Sequence, residues 1–208
     1  HGCTVPRGWS RTYPNLMTME SVKGAECYIF DDSYSANAPA QNTILPFTRN
    51  VVGPMDYTPV TFTDNVYPHR TTYGHELALG ALFQSGVQHF ADRITGYTDL
   101  PNEVQDVLRD LPADWDETRY VAGTPGTDAI LARRRGTTWY VAGINGTDRA
   151  RTFDLDLSRL GNLGSIRVVT DGDGPRAFAP VTEQEAIQDS LSLTTLPYGG
   201  FLLIADQK

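Results

Sequence analysis

The second half of the chain repeats short apolar segments between turn signals, and this pattern limits the fold more than any other feature of the sequence. After Pro112 the segments are rich in β-branched and aromatic residues and are separated by turns such as Asn145-Gly146. They are not interrupted by helical periodicity, which is typical of an antiparallel β-sandwich. The pattern therefore predicts strands over residues 119–122, 129–133, 138–144, 152–157, 166–169 and 201–204.

The first half of the chain has a different periodicity. Residues 71–92 place apolar side chains at helical spacing, with Thr71 or Thr72 as the N-cap. Residues 101–111 form a second apolar stripe of the same kind. The small and polar residues 27–43 predict a loop. Helices therefore belong to the first half, in contrast to the strands of the second.

Composition and charge exclude several classes of function. The 208 residues are 40% hydrophobic and carry a formal net charge of -8, which disfavours nucleic acid as a partner. The one basic run, Arg133-Arg134-Arg135, is interpreted as a solvated hairpin end. No stretch approaches the roughly 20 apolar residues of a membrane span. Cys3 and Cys27 either pair or remain free, and their spacing is not that of a metal or redox motif.

Two acidic residues follow a short apolar run over residues 16–19 that predicts a buried strand. Glu20 comes at the end of this run, and Glu26 comes six residues later, after Gly24. Because a carboxylate at a strand end needs a partner or a cation, such a pair suits glycoside hydrolysis or a hard-cation site. The alternative is that Glu20 caps a helix and Glu26 is solvated. The adjacent acids Asp31 and Asp32 are either calcium ligands or solvated residues of a loop.

Four linked segments resemble glycoside hydrolase family 97. They are His1–Trp9, Arg11–Asn15, Glu20 with Gly24-Ala25-Glu26, and Leu45–Pro59. The resemblance implies a calcium-dependent α-glucosidase or α-galactosidase, secreted or periplasmic, from a bacterium. It also implies an α/β plus all-β fold, in which residues 1–112 are the C-terminal part of a (β/α)8 barrel and residues 113–208 are the antiparallel β-sandwich. Residues 55–62 would form the last barrel strand, with Asp56 as a secondary site candidate.

The resemblance assigns roles to four residues of this sequence. Glu26 matches the catalytic acid/base, and Glu20 together with Glu26 is assigned to the Ca²⁺ site. His1 and Arg11 are assigned to substrate binding, His1 by a hydrogen bond to the sugar and Arg11 by orienting a carboxylate or hydroxyl. Because Ca²⁺ takes 6 to 8 oxygen ligands, further ligands would have to come from water and from other parts of the polypeptide. The nearby Trp9 and Tyr13 either stack on sugar or belong to the core.

The position after His1 distinguishes two mechanisms in the family. Inverting members carry glutamate there, whereas this chain has Gly2, which points to the retaining subgroup. In that subgroup the nucleophile is an aspartate on an earlier strand, to which no residue of this chain corresponds. The sequence is therefore expected to be part of a longer polypeptide and to be inactive alone. We expect an α-galactosidase acting on an oligosaccharide or α-galactoside, with an α-glucosidase and a non-catalytic carbohydrate-binding or assembly module as the alternatives.

Overall fold

The computed structural model describes residues 4–5, 7–185 and 190–208. Its α-helices are α1 (Trp9–Thr12), α2 (Tyr34–Ile44), α3 (Tyr73–Leu82), α4 (Ile94–Thr98) and α5 (Asn102–Asp110). Short 3₁₀ turns cover Ala25–Ile29, Leu45–Phe47, Arg49–Val52 and Ser158–Leu160. The strands are β1 (Glu117–Thr124), β2 (Asp128–Arg135), β3 (Thr138–Asn145), β4 (Arg151–Asp156), β5 (Leu163–Thr170), β6 (Thr182–Glu185), β7 (Ser190–Thr195) and β8 (Gly200–Gln207).

The strands form two antiparallel sheets. Six of them pair in the order β1-β2-β3-β8-β5-β6, and β4 pairs with β7 in a separate two-stranded sheet. β8 enters the middle of the large sheet, where Val141 pairs with Leu203 on one side and Val168 pairs with Leu203 on the other. The last strand of the chain therefore joins the β1–β3 meander to the β5–β6 hairpin.

Alternate residues of the central strands face two different apolar layers. In β2, Ile130 and Ala132 pack in one cluster with Leu155 of the two-stranded sheet. Ala129 and Leu131 belong to the other cluster, which contains the buried residues of α3. Burial of each large apolar side chain contributes roughly 1.5–3 kcal/mol. The large sheet is therefore the middle layer of three, between helix α3 and the β4–β7 sheet.

The antiparallel β-sheet domain predicted for the second half is present. Each of the six predicted segments coincides with a strand, and the β4–β7 sheet covers one face of the large sheet as in a sandwich. The sequence reading missed β6 and β7. All four residues of β6 are exposed, and β7 is rich in serine and threonine, so neither has a strong apolar signal.

The predicted barrel strands of the first half are not formed. In residues 4–5 and 7–112, the described part of that half, pairing between extended segments is limited to one parallel bridge, Met19 to Met55. Parallel strands need neighbours on both sides, which this chain does not provide. Thr58 and Val60 also have φ of 56° and 66°, and this left-handed backbone interrupts the segment predicted as the last strand.

Two further local predictions for the first half were wrong. The expected loop at 27–43 contains helix α2, because Tyr34, Ala38 and Thr43 are buried against the rest of the protein. The helix expected over 71–92 ends at Leu82, and the extended segment after it is held by hydrogen bonds between the Asn50 side chain and the Gln84 backbone. Tertiary contacts fixed both boundaries.

Helix α3 begins where the sequence predicted and is buried along most of its length. Thr72 is its N-cap, accepting a hydrogen bond from the His75 backbone N–H at 3.2 Å. Helix α5, over Asn102–Asp110, also agrees with its predicted range. Within the described residues, no helix is both long enough and apolar enough to cross a membrane.

The interpretation of the arginine run as a solvated hairpin end was wrong for its first member. Arg133 is only 4% exposed. Its guanidinium donates hydrogen bonds to the Leu82 carbonyl at 2.9 Å and to Thr118 Oγ1 at 3.0 Å. Burial lowers the pKa of Arg133 to about 10. The side chain therefore connects the sheet to the C-terminal end of α3, where a positive charge complements the helix dipole.

Candidate active site

Two acidic residues, Glu20 and Asp56, lie beside the parallel bridge between Met19 and Met55. Met19 pairs with Met55, and the Asp56 backbone N–H donates to the Met19 carbonyl at 3.0 Å. Glu20 and Asp56 therefore each come one residue after a methionine of the bridge, in two separate extended segments. Asp56 accepts a hydrogen bond from His89 Nδ1 at 3.1 Å, in an ion pair whose histidine side chain is largely exposed.

A buried arginine, which sequence reasoning did not single out, organises this bridge. The Arg49 guanidinium donates to the carbonyls of Met19 at 2.7 Å and Glu20 at 3.2 Å. It also donates to the carbonyls of Gly53 at 3.0 Å and Pro54 at 3.1 Å. Burial lowers the pKa of Arg49 from its ordinary value. One side chain thus fixes the backbone of both segments that lead to the acids.

Glu26 lies in the 3₁₀ turn Ala25–Ile29 and is partly buried. Its Oε2 contacts Thr58 Oγ1, and its backbone N–H lies 3.4 Å from the same hydroxyl oxygen. The Ala25 N–H donates to the Tyr57 carbonyl at 3.0 Å. A Cβ at Gly24 would overlap both the Tyr57 carbonyl oxygen and Glu26 Oε2. The glycine in the Gly24-Ala25-Glu26 motif therefore allows the carboxylate to reach Thr58.

Both candidate acids act electrostatically on one buried thiol. The pKa of Cys27 is raised to about 11, first by burial and then by the negative charges of Glu26, Asp31 and Glu20, while Lys23 opposes the shift. The Cys27 thiol is therefore held in its neutral form. Cys27 is a free, buried cysteine, and Cys3 lies outside the described residues.

Asp31 is engaged by the protein itself. It accepts hydrogen bonds from the Lys23 ammonium at 2.5 Å and from the Ser33 hydroxyl at 2.7 Å. These hydrogen bonds lower the pKa of Asp31 to about 2. The adjacent Asp32 is exposed.

Of the two residues predicted to bind substrate, the structure describes Arg11. His1 lies outside the described residues, as does Gly2. Arg11 lies in the exposed helix α1, together with Trp9, and Tyr13 follows the helix. Trp9 and Tyr13 are 44% and 58% exposed, which rules out the core role for both aromatic side chains in this structure.

Glu20 and Glu26 are two of the oxygen ligands that the family resemblance assigns to Ca²⁺. Carboxylates are suitable ligands for a hard cation, which takes 6 to 8 oxygen ligands in all. Among residues 4–5, 7–185 and 190–208, no group of three or more His, Cys, Asp or Glu residues is arranged to hold a metal ion. The acids present fit a cation only if further oxygen ligands complete its coordination.

A chain of buried hydrogen bonds connects the candidate site to the β domain. It runs from the Lys23 carbonyl through Tyr34, Tyr57, Asn42 and His75 to the Tyr198 carbonyl. The two tyrosine hydroxyls are 2.6 Å apart, Asn42 Nδ2 lies 3.0 Å from His75 Nε2, and His75 Nδ1 lies 3.1 Å from the Tyr198 carbonyl oxygen. Since a carbonyl only accepts, Nδ1 carries the imidazole proton and Nε2 accepts from Asn42. The chain therefore holds His75 neutral.

This arrangement predicts an acid-sensitive contribution of His75 to stability. Burial lowers the pKa of His75 to about 4 from its ordinary value of 6.5. The unfolded chain binds the proton first, so stability is complete above pH 6.5 and falls as the pH decreases toward 4, by roughly 3 kcal/mol in all. Urea unfolding measured across this range should show the loss, and a His75→Gln variant should show a correspondingly flatter pH dependence. Identical pH dependence of both proteins would contradict the prediction.

Comparisons with known proteins agree on one family. The chain is 39% identical over 207 residues to a protein named "Probable retaining alpha-galactosidase" from Streptomyces bingchenggensis, covering 99% of this chain and 31% of that protein. A "Retaining alpha-galactosidase" from Bacteroides thetaiotaomicron is 35% identical over 173 residues, covering 78% of this chain and 26% of the relative. Residues 114–205 match the family description "Glycosyl-hydrolase 97 C-terminal, oligomerisation". The chain belongs to glycoside hydrolase family 97.

Solved structures of family 97 enzymes and related glycosidases share the fold. The crystal structure of a β-arabinopyranosidase superposes with a TM-score of 0.91 at 32% identity, covering 98% of this chain and 33% of that one. A variant of a family 97 enzyme from Pseudoalteromonas sp. strain K8 superposes with a TM-score of 0.84 at 26% identity, covering 96% and 33%. This family 97 chain therefore spans about a third of the length of these relatives.

Proposed function

We propose that this family 97 chain supplies the acid/base carboxylate of a retaining α-galactosidase, and that Glu26 is that carboxylate. The observation that carries the proposal is the partly buried Glu26 carboxyl, which follows Gly24 in the 3₁₀ turn Ala25–Ile29 and is anchored by the Thr58 hydroxyl. The two relatives named retaining α-galactosidases support the reaction class. Retention requires an acid/base and a nucleophile, two carboxyl groups about 5–5.5 Å apart.

The chemistry assigned to this chain is proton transfer. Glu26 donates a proton to the glycosidic oxygen as the bond to the sugar breaks, and the nucleophile forms the glycosyl-enzyme. Glu26, now ionised, then takes a proton from the water that attacks the glycosyl-enzyme. The nucleophilic aspartate is proposed to come from polypeptide outside this chain. Arg11 and His1 are proposed to bind the sugar.

We propose Ca²⁺ as the cofactor, held by Glu20 and Glu26 with oxygen ligands from outside this chain. When bound, the cation would supply positive charge beside the reacting groups. Arg49 contributes from this chain, because it fixes the backbone at Glu20 and so the direction of that side chain. Secretion or export to the periplasm remains a prediction of the family resemblance, and fractionation of the producing bacterium would test it.

The sugar specificity is proposed from the relatives' names. Two relatives are named α-galactosidases, and one structural relative is a β-arabinopyranosidase, so α-galactosides are proposed as the substrates in preference to α-glucosides. Galactosides and glucosides differ in the orientation of the sugar 4-hydroxyl, so substrate specificity is part of the test.

The proposal is tested with the complete protein to which this chain belongs. We expect it to hydrolyse a nitrophenyl α-galactoside faster than the matching α-glucoside and β-arabinopyranoside, to release the α-anomer first in an NMR time course, and to lose activity when calcium is chelated. The isolated 208-residue chain, assayed in parallel, should be inactive. Initial release of the β-anomer would contradict a retaining mechanism, and calcium-dependent turnover by the isolated chain would contradict the missing nucleophile.

A second function is favoured by one observation. The family description that matches residues 114–205 includes oligomerisation. We therefore propose that the β domain also mediates assembly of the complete protein. Light scattering of the complete protein with and without residues 113–208 measures this, and an unchanged mass per particle, after allowance for the deleted residues, would contradict it.

A further inference from the structure

One arginine of the β domain makes extensive contact with the first half of the protein. Arg176 lies in the loop between β5 and β6. The Gly172 N–H donates to the Ala177 carbonyl across this loop at 2.8 Å, and the Pro175 carbonyl accepts from the Tyr73 N–H of α3 at 2.9 Å. These backbone hydrogen bonds fix the loop, so the arginine side chain extends from a defined position.

The Arg176 guanidinium binds a carboxylate and two carbonyls of residues 64–71, in the segment that precedes α3. It donates to the two carboxylate oxygens of Asp64 at 2.8 Å and 3.2 Å. It also donates to the His69 carbonyl at 2.8 Å and to the Thr71 carbonyl at 2.8 Å. Because a guanidinium presents its donors in a rigid planar fork, this one side chain fixes the path of the whole segment.

The same segment supports the 3₁₀ turn that carries Glu26. The His69 ring stacks on the Tyr28 ring, with centroids 3.7 Å apart and an angle of 11° between the planes. The Tyr67 N–H donates to the Tyr28 carbonyl at 3.0 Å. Tyr28 is a buried residue of that turn, two positions after Glu26. A continuous series of contacts therefore runs from Arg176 through His69 and Tyr28 to the candidate acid/base.

The His69 ring has little freedom to move independently of its backbone. The His69 N–H donates to Asp64 Oδ1 at 2.9 Å, and Nδ1 lies 3.6 Å from Glu76 Oε1 of α3. The His69 side chain is only 2% exposed. Because close-packed side chains transmit a displacement to their neighbours, a shift of this backbone moves the ring against Tyr28.

The location of this arginine differs from that of the other charged contacts between the two halves. Arg133 and Asp171 bind the two ends of α3. Arg176 instead binds the segment that touches the turn of Glu26. It is therefore the one of these three charges that is placed to act on the candidate acid/base.

We propose that Arg176 is a positioning residue through which the β domain holds Glu26 in its place for the reaction. This inference rests on the proposed role of Glu26. Proton donation requires the acid within hydrogen-bonding reach of the glycosidic oxygen, and a displacement of about 1 Å can lower a rate by about 100-fold. The β domain thus takes part in catalysis in addition to its proposed part in assembly.

The variant Arg176→Ala of the complete protein tests the proposal by kinetics. For an unactivated galactoside, we expect kcat to fall about tenfold while KM stays within about twofold, because substrate still binds but meets a misplaced acid. Glycosyl-enzyme formation from a nitrophenyl galactoside needs little help from the acid and should stay within about twofold of wild type. Added guanidinium, at concentrations far below those that unfold proteins, should restore part of kcat. Arg176→Lys should resemble the alanine variant, because an ammonium group lacks the planar fork.

Hydrogen exchange tests the structural connection itself. The Ala25 N–H of the turn donates to the Tyr57 carbonyl at 3.0 Å. We expect exchange of the turn amides to become about tenfold faster in Arg176→Ala, while exchange of the β8 amides stays unchanged. Arg167→Ala is the matched control, since Arg167 is an exposed arginine of β5, and it should keep wild-type kinetics and exchange.

The possible failures are distinguishable. If Glu26→Gln is inactive toward the unactivated galactoside but Arg176→Ala has wild-type kinetics, the inference about Arg176 is wrong. Equal losses with both substrates would also overturn it, because a general loss of structure does not select for the leaving group. If the alanine variant does not fold, the same comparison of the two substrates with Arg176→Lys decides. If Glu26→Gln retains full activity on the unactivated galactoside, the proposed role of Glu26 fails instead.

Discussion

Replacing Glu26 with glutamine in the complete enzyme is expected to lower turnover of an unactivated galactoside on the order of 10³-fold, because the general acid is lost. Glutamine has nearly the same shape and still presents an oxygen to Thr58, so the local packing around the 3₁₀ turn should persist. An activated nitrophenyl galactoside needs little protonation of its leaving group. Formation of the glycosyl-enzyme from that substrate should therefore be nearly unaffected.

The measurement is pre-steady-state and steady-state kinetics with both substrates. The nitrophenyl substrate should give a burst of nitrophenol followed by slow turnover, because the second half-reaction also needs Glu26 as a base. Glu103→Gln is the matched control, since Glu103 is an exposed carboxylate in α5, and it should have wild-type kinetics. Equal losses of glycosyl-enzyme formation with both substrates would count against Glu26 as the acid.

Replacing Asp171 with alanine is expected to lower the free energy of opening at the α3–β8 contact by roughly 4 kcal/mol. The Asp171 carboxylate accepts from the Gly74 N–H at 2.7 Å and from the Gly200 N–H at 3.1 Å. Burial raises the pKa of Asp171, and these hydrogen bonds oppose that shift. The variant leaves two N–H groups without their acceptor, one of them in the first turn of α3, where negative charge is stabilising.

Hydrogen exchange of the α3 and β8 amides in the complete protein measures this effect. Asp173→Ala is the matched control, because Asp173 belongs to the same turn and is exposed, and it should change the opening free energy by less than about 0.5 kcal/mol. Unchanged protection of α3 in the Asp171 variant would show that packing alone holds the helix against the sheet.

Asp171 and Arg133 show how the fold gives a charged side chain a role that local composition does not indicate. Asp171 opens a run of glycine and aspartate that is typical of a turn, and Arg133 opens the run of three arginines that was interpreted as a solvated hairpin end. In the fold, Asp171 faces the first turn of α3 and Arg133 donates to the carbonyl of its last residue. The negative charge of Asp171 is favourable at the N-terminus of α3, and the positive charge of Arg133 is favourable at its C-terminus, because each is opposite in sign to the helix dipole there. Only the packing of that helix on the sheet brings them there.

The candidate site also combines residues that are recognisable in the sequence with residues whose role only the fold reveals. The spacing of Glu20 and Glu26 is visible in the sequence, and so is Gly24 between them. Thr58 and Arg49 carried no local signal, because each acts on residues 29 to 32 positions away in the chain. Contacts between residues so far apart in the chain depend on how the backbone brings their two segments together. A local pattern of residue types does not contain that information.

The sequence by itself determined the antiparallel β domain, because alternation of apolar and polar residues encodes the two faces of a strand and glycine, asparagine and aspartate encode its turns. It also determined that two acids would follow the apolar run ending at Met19. Tertiary structure alone decided the helix at Tyr34–Ile44, the end of α3 at Leu82 and the partner of Glu26. Those features depend on burial and on hydrogen bonds between distant segments, whose free energy outweighs local conformational preference.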